Sequence, residues 1–115
     1  MGRTIYKICQ KSLWRDAEQH GAFRGAPIDL DDGFIHFSTA EQVEETAARH
    51  FAGQHDLVLV AVSTDALGTA LRWEPSRGGA LFPHLYAELR MSAVVEVCDL
   101  PLDSAGKHCF PPLGD

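Results

Sequence analysis

Apolar residues along the chain follow two patterns that predict strands. Residues 3–9 alternate between two faces, as a half-buried strand does. Residues 56–63 (DLVLVAVS) are apolar nearly throughout, which is typical of a central strand covered on both faces. Shorter strand-like segments follow at 71–74, 80–86 and 94–100, with turn-forming residues between them. The pattern therefore predicts a small sheet of short strands.

A first helix is predicted directly after the first strand. Ser12 can cap its start, and Trp14 and Ala17 fall on one face. Gly21 offers the left-handed conformation in which many helices end. The following segment, 22–33, contains a proline, two glycines and three aspartates. We expect it to be the longest irregular loop in the first half of the chain.

A second helix is predicted by a capping pattern and an apolar stripe. Thr39 followed by Gln42 is a capping box, in which each side chain satisfies a free backbone N–H at the helix start. The apolar stripe, at a spacing of four residues, consists of Val43, Ala47 and Phe51. Phe51 is expected to fill the core, and Gly53 to end the helix.

Few helices and many short strands indicate an α+β fold, in which two or three helices pack on a small, mostly antiparallel sheet. At 115 residues the chain is expected to form a single domain, residues 1–115. Its tail, from about residue 101 to 115, is rich in proline and glycine and is predicted to be irregular.

Composition narrows the functional classes. The net charge is −6 and the ten Lys and Arg residues are scattered, so no general nucleic-acid surface is expected. No apolar run approaches the roughly 20 residues that cross a bilayer, and the N-terminal stretch does not have the pattern of a secretory signal. Three cysteines without a CxxC pair suit a reducing compartment, so the cytoplasm is the expected location. The oligomeric state is left open.

The stretch DGFIHFST, residues 32–39, places a histidine inside an apolar strand. In an extended segment His36 and Ser38 share one face, and Ile35 and Phe37 share the other. If Ile35 and Phe37 face the core, His36 and Ser38 line an open surface or a cleft. The alternative is that His36 bonds a neighbouring backbone carbonyl and only holds the strand end.

A second polar cluster lies between residues 71 and 89. It contains six side chains that can bind or catalyse: Arg72, Glu74, Arg77, His84, Tyr86 and Glu88. Such a density between glycines and prolines is typical of binding loops. The alternative is a hairpin with solvated ion pairs, Arg72 with Glu74 and Arg77 with Glu88.

Other chemistries lack their motifs. No metal site is predicted, because the histidines and cysteines do not have ligand spacing. The GxSxG, GxxxxGK[ST] and GxGxxG patterns are absent from the sequence. Cys9 lies near Lys7, but a buried core cysteine is the commoner outcome than a reactive thiol.

These motifs together resemble a known family. Over nearly its full length the chain resembles the small bacterial proteins called domain of unknown function 952 (DUF 952). The resemblance rests on Trp14 with Ala17 and Gly21, on GFIHFST at 33–39, on Phe51, on Trp73-Glu74 and on FPHLY at 82–86. It implies the fold of that family but does not name an activity.

That family in turn resembles the ADP-ribosyltransferase fold, with a split pair of small sheets around a nicotinamide dinucleotide cleft, and most of all the tRNA 2′-phosphotransferases. The resemblance implies NAD as the cofactor and His36 and Ser38 as residues that face it. Lys7 stands where the superfamily commonly has a histidine. The usual catalytic glutamate is not securely matched, and Glu74 is preferred to Glu88.

Three functional hypotheses follow. The first is a protein that binds a nucleotide such as NAD, or an ADP-ribosyl or phosphorylated ligand. If this protein is an enzyme, it is expected to be a transferase. The second is a non-catalytic module that binds a small ligand or a protein through the same cleft. The third is a hydrolase with His36 and His84 as an acid–base pair, which requires the two side chains to lie within about one bridging water of each other.

The first hypothesis gives each candidate residue a role. His36 orients a ribose hydroxyl or a phosphate, and Ser38 and the helix start after Thr39 donate further hydrogen bonds. Phosphate charge is neutralised by Arg72 or Arg77. The base is contacted by His84 and Tyr86, which can also act as proton donors.

Overall fold

The computed structural model describes residues 2–114, apart from the side chain of Arg77. In this part of the chain three α-helices and eight strands form, connected by short loops and single 3₁₀ turns. In chain order they are β1 (Thr4–Gln10), α1 (Lys11–His20), β2 (Ala22–Phe23), α2 (Pro27–Asp32), β3 (Ile35–His36), α3 (Val43–His50), β4 (Leu57–Ser63), β5 (Leu71–Pro75), β6 (Leu81–Leu85), β7 (Leu89–Arg90) and β8 (Val94–Asp99).

The strands form small antiparallel sheets. The first sheet has the order β1-β4-β8, and the second has the order β3-β6-β5. The short strands β2 and β7 pair separately. The predicted α+β class with small, mostly antiparallel sheets is therefore confirmed. So is the central strand, because β4 lies between two partners and six of its seven residues are buried.

The chain segment after β3 joins the two larger sheets. The backbone N–H of Tyr6 donates to the carbonyl of Ser38 at 2.8 Å, and the N–H of Ser38 donates to the carbonyl of Tyr6 at 2.9 Å. One residue earlier, the N–H of Phe37 donates to the carbonyl of Pro83 in β6 at 3.0 Å. Ser38 is therefore attached to the first sheet, and Phe37 to the second.

The core lies on both sides of β4. Its valines, Val58, Val60 and Val62, pack with Trp14 of α1 and with the buried face of the second sheet. Its other alternating side chains, which include Leu57 and Leu59, pack with α3 through residues such as Val43 and Ala47. This two-sided burial explains why the β4 sequence is apolar without alternation.

The prediction of an irregular loop over 22–33 was wrong. The segment contains β2 and the helix α2, which begins with Pro27 at its first position and ends at Gly33, with φ of 87°. Only Asp29 of α2 is buried. Because the buried side chain of this helix is charged, the sequence has no apolar stripe from which the helix could have been predicted.

The ends of the first helix differ slightly from the prediction. Gly21 ends α1 in the left-handed conformation, with φ of 82°, as the sequence indicated. The start is different, because the helix begins at Lys11 and the cap residue, Gln10, makes no side-chain capping bond. Ser12 therefore lies inside the helix.

The second predicted helix is shorter than expected. It begins at Val43 and ends at His50, before Gly53. Half of the predicted capping box forms, because the N–H of Thr39 donates to Oε1 of Gln42 at 3.1 Å. The residues between them form a turn in which the N–H groups of Gln42 and Val43 donate to the carbonyl of Thr39.

The tail after β8 has no helix or strand up to residue 114, although an isolated bridge pairs Leu102 with His108. It nevertheless packs on the first sheet. The hydroxyl of Tyr6 donates to the carbonyl of Gly114 and accepts from its N–H, both at 2.8 Å. Among the helices described, none is long and apolar enough to cross a membrane.

Candidate functional site

The second sheet presents one apolar face and one face with polar side chains. His36 of β3 lies opposite His84 of β6, and His84 lies opposite Arg72 of β5. Side chains alternate along strands, so the neighbouring residues Ile35 and Leu85 point to the other face, where both are buried in the core. The predicted alternation in DGFIHFST is confirmed, and it brings together the two histidines that are 48 residues apart in sequence.

The two histidines line a cleft of about 340 Å³ between the second sheet, β1 and α3. We call it the histidine cleft. Its polar lining side chains include Lys7, His36, Ser38, Thr46, His50 and His84. Apolar contacts come from Ile8, Ile28, Phe51 and Phe82. An apolar cleft with a few convergent polar groups is the usual form of a small-ligand site.

Asp29 is the centre of a hydrogen-bond network beside the histidine cleft. Its Oδ1 contacts Nδ1 of His36 at 2.6 Å and accepts the backbone N–H of His36 at 3.1 Å. Its Oδ2 accepts the N–H of Ala26 at 2.8 Å. Asp32 lies 2.9 Å from the other ring nitrogen of His36, Nε2. Both ring contacts are hydrogen bonds at once only when His36 is protonated, since each nitrogen must then donate.

Lys7 completes this network from β1. Its ammonium lies 3.0 Å from Oδ1 and 2.8 Å from Oδ2 of Asp29, and the two residues are only 5% and 1% exposed. Burial by itself would raise the pKa of Asp29, but the hydrogen bond from His36 and the charge and hydrogen bond of Lys7 outweigh it and lower the pKa to about 2. Asp29 therefore stays ionised at neutral pH.

His84 is held by a carboxylate of its own. Its Nδ1 lies 2.8 Å from Oε1 of Glu74, and the hydroxyl of Tyr86 donates to the same oxygen at 2.7 Å. The hydrogen bonds from Tyr86 and His84 lower the pKa of Glu74, and the same bond to Glu74 raises the pKa of Tyr86. Because the ionised carboxylate can only accept, Nδ1 of His84 carries a proton.

Aromatic contacts fix the relative positions of the rings. Phe34 stacks on His84 with ring centroids 4.1 Å apart, and its centroid lies 4.6 Å from that of His36 and 5.2 Å from that of Tyr86. The His36 and His84 centroids are 5.5 Å apart in an edge-on arrangement. The rings are therefore neighbours, but both ring nitrogens of His36 already contact carboxylates, Asp29 and Asp32, which does not favour the paired acid–base role of the hydrolase hypothesis.

Ser38 belongs to a chain of hydroxyl groups. Its Oγ lies 2.9 Å from Oγ1 of Thr46, and Thr46 donates to the carbonyl of Gln42 at 3.1 Å. Thr46 has a single hydroxyl proton and donates it in the hydrogen bond to this carbonyl. Ser38 is therefore the donor in the hydrogen bond between the two hydroxyls. Ser38 therefore has only lone pairs to offer to other groups.

The structure brings together most of the residues that the sequence singled out. Four of them line the histidine cleft: Lys7, His36, Ser38 and His84. Three others, Arg72, Glu74 and Tyr86, form a neighbouring cluster, with the Arg72 guanidinium 5.1 Å from the Tyr86 ring centre. Thr39 is buried, and its N–H already pairs with Gln42. The side chain of Arg77 lies outside what the structure describes.

Of the two ion pairs considered for a solvated hairpin, the pair of Arg72 with Glu74 does not form among the described residues, and the pair of Arg77 with Glu88 lies outside what the structure describes. Glu88 lies 3.6 Å from Arg24, in a separate groove beside α1, and Glu74 bonds His84 and Tyr86. Cys9 is a buried core residue, as expected, and burial raises the pKa of its thiol to about 11. No cluster of three or more His, Cys, Asp or Glu side chains able to hold a metal is present among the described residues.

Sequence reasoning missed Asp29, Thr46 and His50. Asp29 lies in a run of acidic residues that reads as a solvated turn, and its partner Lys7 is 22 residues away. Thr46 and His50 could have been found, because both lie on α3 at a spacing of four residues and thus share one face.

Comparison with known proteins identifies the family of this chain. The family model described as "Protein of unknown function (DUF952)" matches residues 8–97. The chain belongs to the DUF952 family. The predicted family is therefore confirmed, whereas the similarity to ADP-ribosyltransferases stays a prediction. No curated protein matches this DUF952 chain.

Solved structures of a family relative support the fold. The crystal structure of protein CC0527 from Caulobacter crescentus is 51% identical to this DUF952 chain, with a TM-score of 0.89, over 92% of this chain and 93% of that one. The solution NMR structure of CC0527 is 52% identical, with a TM-score of 0.82, over 90% of each chain. The family description names no activity.

Proposed function

We propose that this DUF952 protein binds a small nucleotide-like ligand in the histidine cleft, with NAD as the first candidate. The observation that carries the proposal is the convergence of His36, His84 and Ser38 on one apolar cleft. A volume of about 340 Å³ is at the lower end of ordinary ligand sites, so it suits one heterocycle with its sugar. The remainder of a dinucleotide would lie outside the cleft.

Binding without ADP-ribosyl transfer is the form of this function that we favour. A transferase needs a carboxylate near the developing oxocarbenium ion. Glu74 already accepts hydrogen bonds from His84 and Tyr86 through one oxygen, and Glu88 lies in another groove. Lys7, at the position where the superfamily commonly has a histidine, is paired with Asp29. These pairings support a binding protein in preference to a transferase.

The experiment is an NMR titration of the labelled protein with NAD, ADP-ribose and nicotinamide. Saturable shifts confined to the amides of residues 36–40 and to the rings of His36 and His84 are expected. A matched titration of His84→Ala and of His20→Ala separates the cleft from the surface, because His20 is an exposed residue at the end of α1. The absence of shifts with all three ligands at millimolar concentration would overturn the proposal.

Catalysis is tested separately by following the release of nicotinamide from NAD. We expect none above the rate without protein. Release that disappears in Glu74→Gln would reverse our preference and support a transferase. We also propose a cytoplasmic location, since Cys9, Cys98 and Cys109 are all free thiols.

A further inference from the structure

Two side chains of the histidine cleft, Ser38 and His84, present hydrogen-bond acceptors to it. Ser38 gives its proton to Thr46, whose own proton goes to the carbonyl of Gln42. The lone pairs of Ser38 Oγ therefore remain for a ligand, and Ser38 lines the cleft. This is the opposite of the donor role that the sequence suggested for Ser38.

His84 offers a second acceptor. Its Nδ1–H donates to the ionised Glu74, so in the neutral ring Nε2 has a lone pair and no proton. His84 is 5% exposed and lines the cleft, and within the described part of the chain Nε2 has no hydrogen-bond partner. An acceptor at the wall of the cleft favours a ligand that donates a hydrogen bond, because a ligand that covered the acceptor without pairing it would lose binding free energy.

Two basic residues that line the cleft, Lys7 and His36, are already paired with carboxylates. Lys7 contacts both oxygens of Asp29, and His36 lies between Asp29 and Asp32. Among the side chains that the structure describes, three carboxylates lie within hydrogen-bond distance of these cleft residues: Asp29, Asp32 and Glu74. A phosphate inside the cleft would be repelled by them and would have to displace an existing ion pair.

We infer that the histidine cleft recognises the nucleoside part of its ligand through the ligand's hydroxyl and N–H groups, and that a phosphate adds nothing to binding. The inference rests on the proposed function and narrows its ligand class. The preferred ligand is a hydroxylated sugar on a neutral or cationic heterocycle. A cationic ring gains further from the carboxylates around the cleft.

The test compares two nucleosides with their own phosphate esters by NMR titration. Adenosine is paired with its 5′-monophosphate, and nicotinamide riboside with its mononucleotide, so that each pair differs only in phosphate. We expect each nucleoside to bind at least as tightly as its ester. Tighter binding of either ester overturns this inference and leaves the proposed function standing. Binding of none of the four overturns both.

A variant pair tests the role of His84 as an acceptor. Glu74→Gln no longer fixes which ring nitrogen of His84 carries the proton, because an amide can donate to Nδ1 as well as accept from it. We expect nucleoside binding about three- to tenfold weaker, the effect of one neutral hydrogen bond. Glu88→Gln makes the same chemical change in another groove and should bind as the unaltered protein does.

A second variant covers the case in which Glu74→Gln does not fold. Ser38→Ala removes the other acceptor, and we expect it to weaken nucleoside binding by a similar factor. Ser12→Ala, on the exposed surface of α1, is its control. Unchanged nucleoside affinity in the folded cleft variants would overturn the acceptor assignment.

Discussion

Asp29 shows how much of this fold depends on one side chain. Its carboxylate receives Lys7 from β1, His36 from β3 and the backbone N–H of Ala26. A carboxylate has about four lone-pair sites, and contacts from these three residues occupy them. A buried charge that is fully paired is tolerated, whereas the same charge without a partner is strongly destabilising.

Asp29→Asn should therefore be costly. The substitution leaves the Lys7 ammonium buried without a counter-charge, and we expect a loss of about 3 to 5 kcal/mol in the free energy of unfolding, measured in urea. Asp32→Asn is the matched control, because Asp32 is half-exposed and contacts the other nitrogen of His36. That variant should lose about 1 kcal/mol or less. Equal losses in the two variants would contradict the central role of Asp29.

The same residue predicts a dependence of stability on pH. The folded pKa of Asp29, about 2, is below its ordinary value of 3.8, so its contribution is complete above 3.8 and is lost as pH falls towards 2. The size of this loss is about 2 kcal/mol. We expect the stability difference between the unaltered protein and Asp29→Asn to shrink by that amount on acidification, as followed by urea unfolding. A constant difference would show that Asp29 does not titrate in this range.

Among the helices and strands, the sequence predicted those that pack against apolar neighbours. Burial of β4 on both faces produces a continuous apolar run, and the side chains of β3 alternate visibly between core and cleft. The helix α2 could not be predicted in this way, because its buried residue pairs with a lysine far away in sequence. Local periodicity carries no information about such a contact.

The candidate site was likewise predictable only where its contacts are local in sequence. The pairing of His84 with Glu74 lies within one hairpin, so the sequence placed both residues in one cluster. The cleft itself depends on how β1 and α3 meet the second sheet. That arrangement is set by long-range packing and by the backbone bonds between Tyr6 and Ser38, which no local pattern encodes.

Phe51 gives a prediction for α3. The sequence suggested a core residue, whereas the structure places Phe51 at the end of the helix, partly buried and lining the cleft. Phe51→Ala should cost roughly 1 to 3 kcal/mol, below the 3 to 5 kcal/mol of a fully buried phenylalanine. Leu57→Ala, in the same cluster and fully buried, should cost more. Urea unfolding of both variants checks the order, and the reverse order would contradict this placement.

For the whole molecule, Tyr6 connects distant parts. Its backbone joins the segment after β3 to the first sheet, the residue is part of the lining of the histidine cleft, and its hydroxyl holds the tail at Gly114. Two short irregular pieces of chain are therefore fixed by one residue of a regular strand. The tail has no helix or strand of its own, so these contacts and its apolar packing determine its position.

Tyr6→Phe isolates the contribution of the hydroxyl. We expect a small loss of stability, on the order of 1 kcal/mol. The two hydrogen bonds between the Tyr6 hydroxyl and the backbone of Gly114 are lost, but the exposed Gly114 groups can bond to water instead. The amide of Gly114 and its neighbours should lose protection from hydrogen exchange, measured by NMR, while β4 keeps its protection. Unchanged exchange of the tail amides would show that apolar packing alone holds the tail.

The attachment of α2 has a consequence for temperature. Most of this fold is held by apolar burial, whose stabilisation per unit area levels off as temperature rises, whereas α2 is anchored to β1 and β3 through a desolvated ion pair. The hydration lost by such a pair becomes less costly as temperature rises. The wall of the cleft that contains Ile28 is therefore held more firmly, relative to the rest of the molecule, in warm solution than in cold.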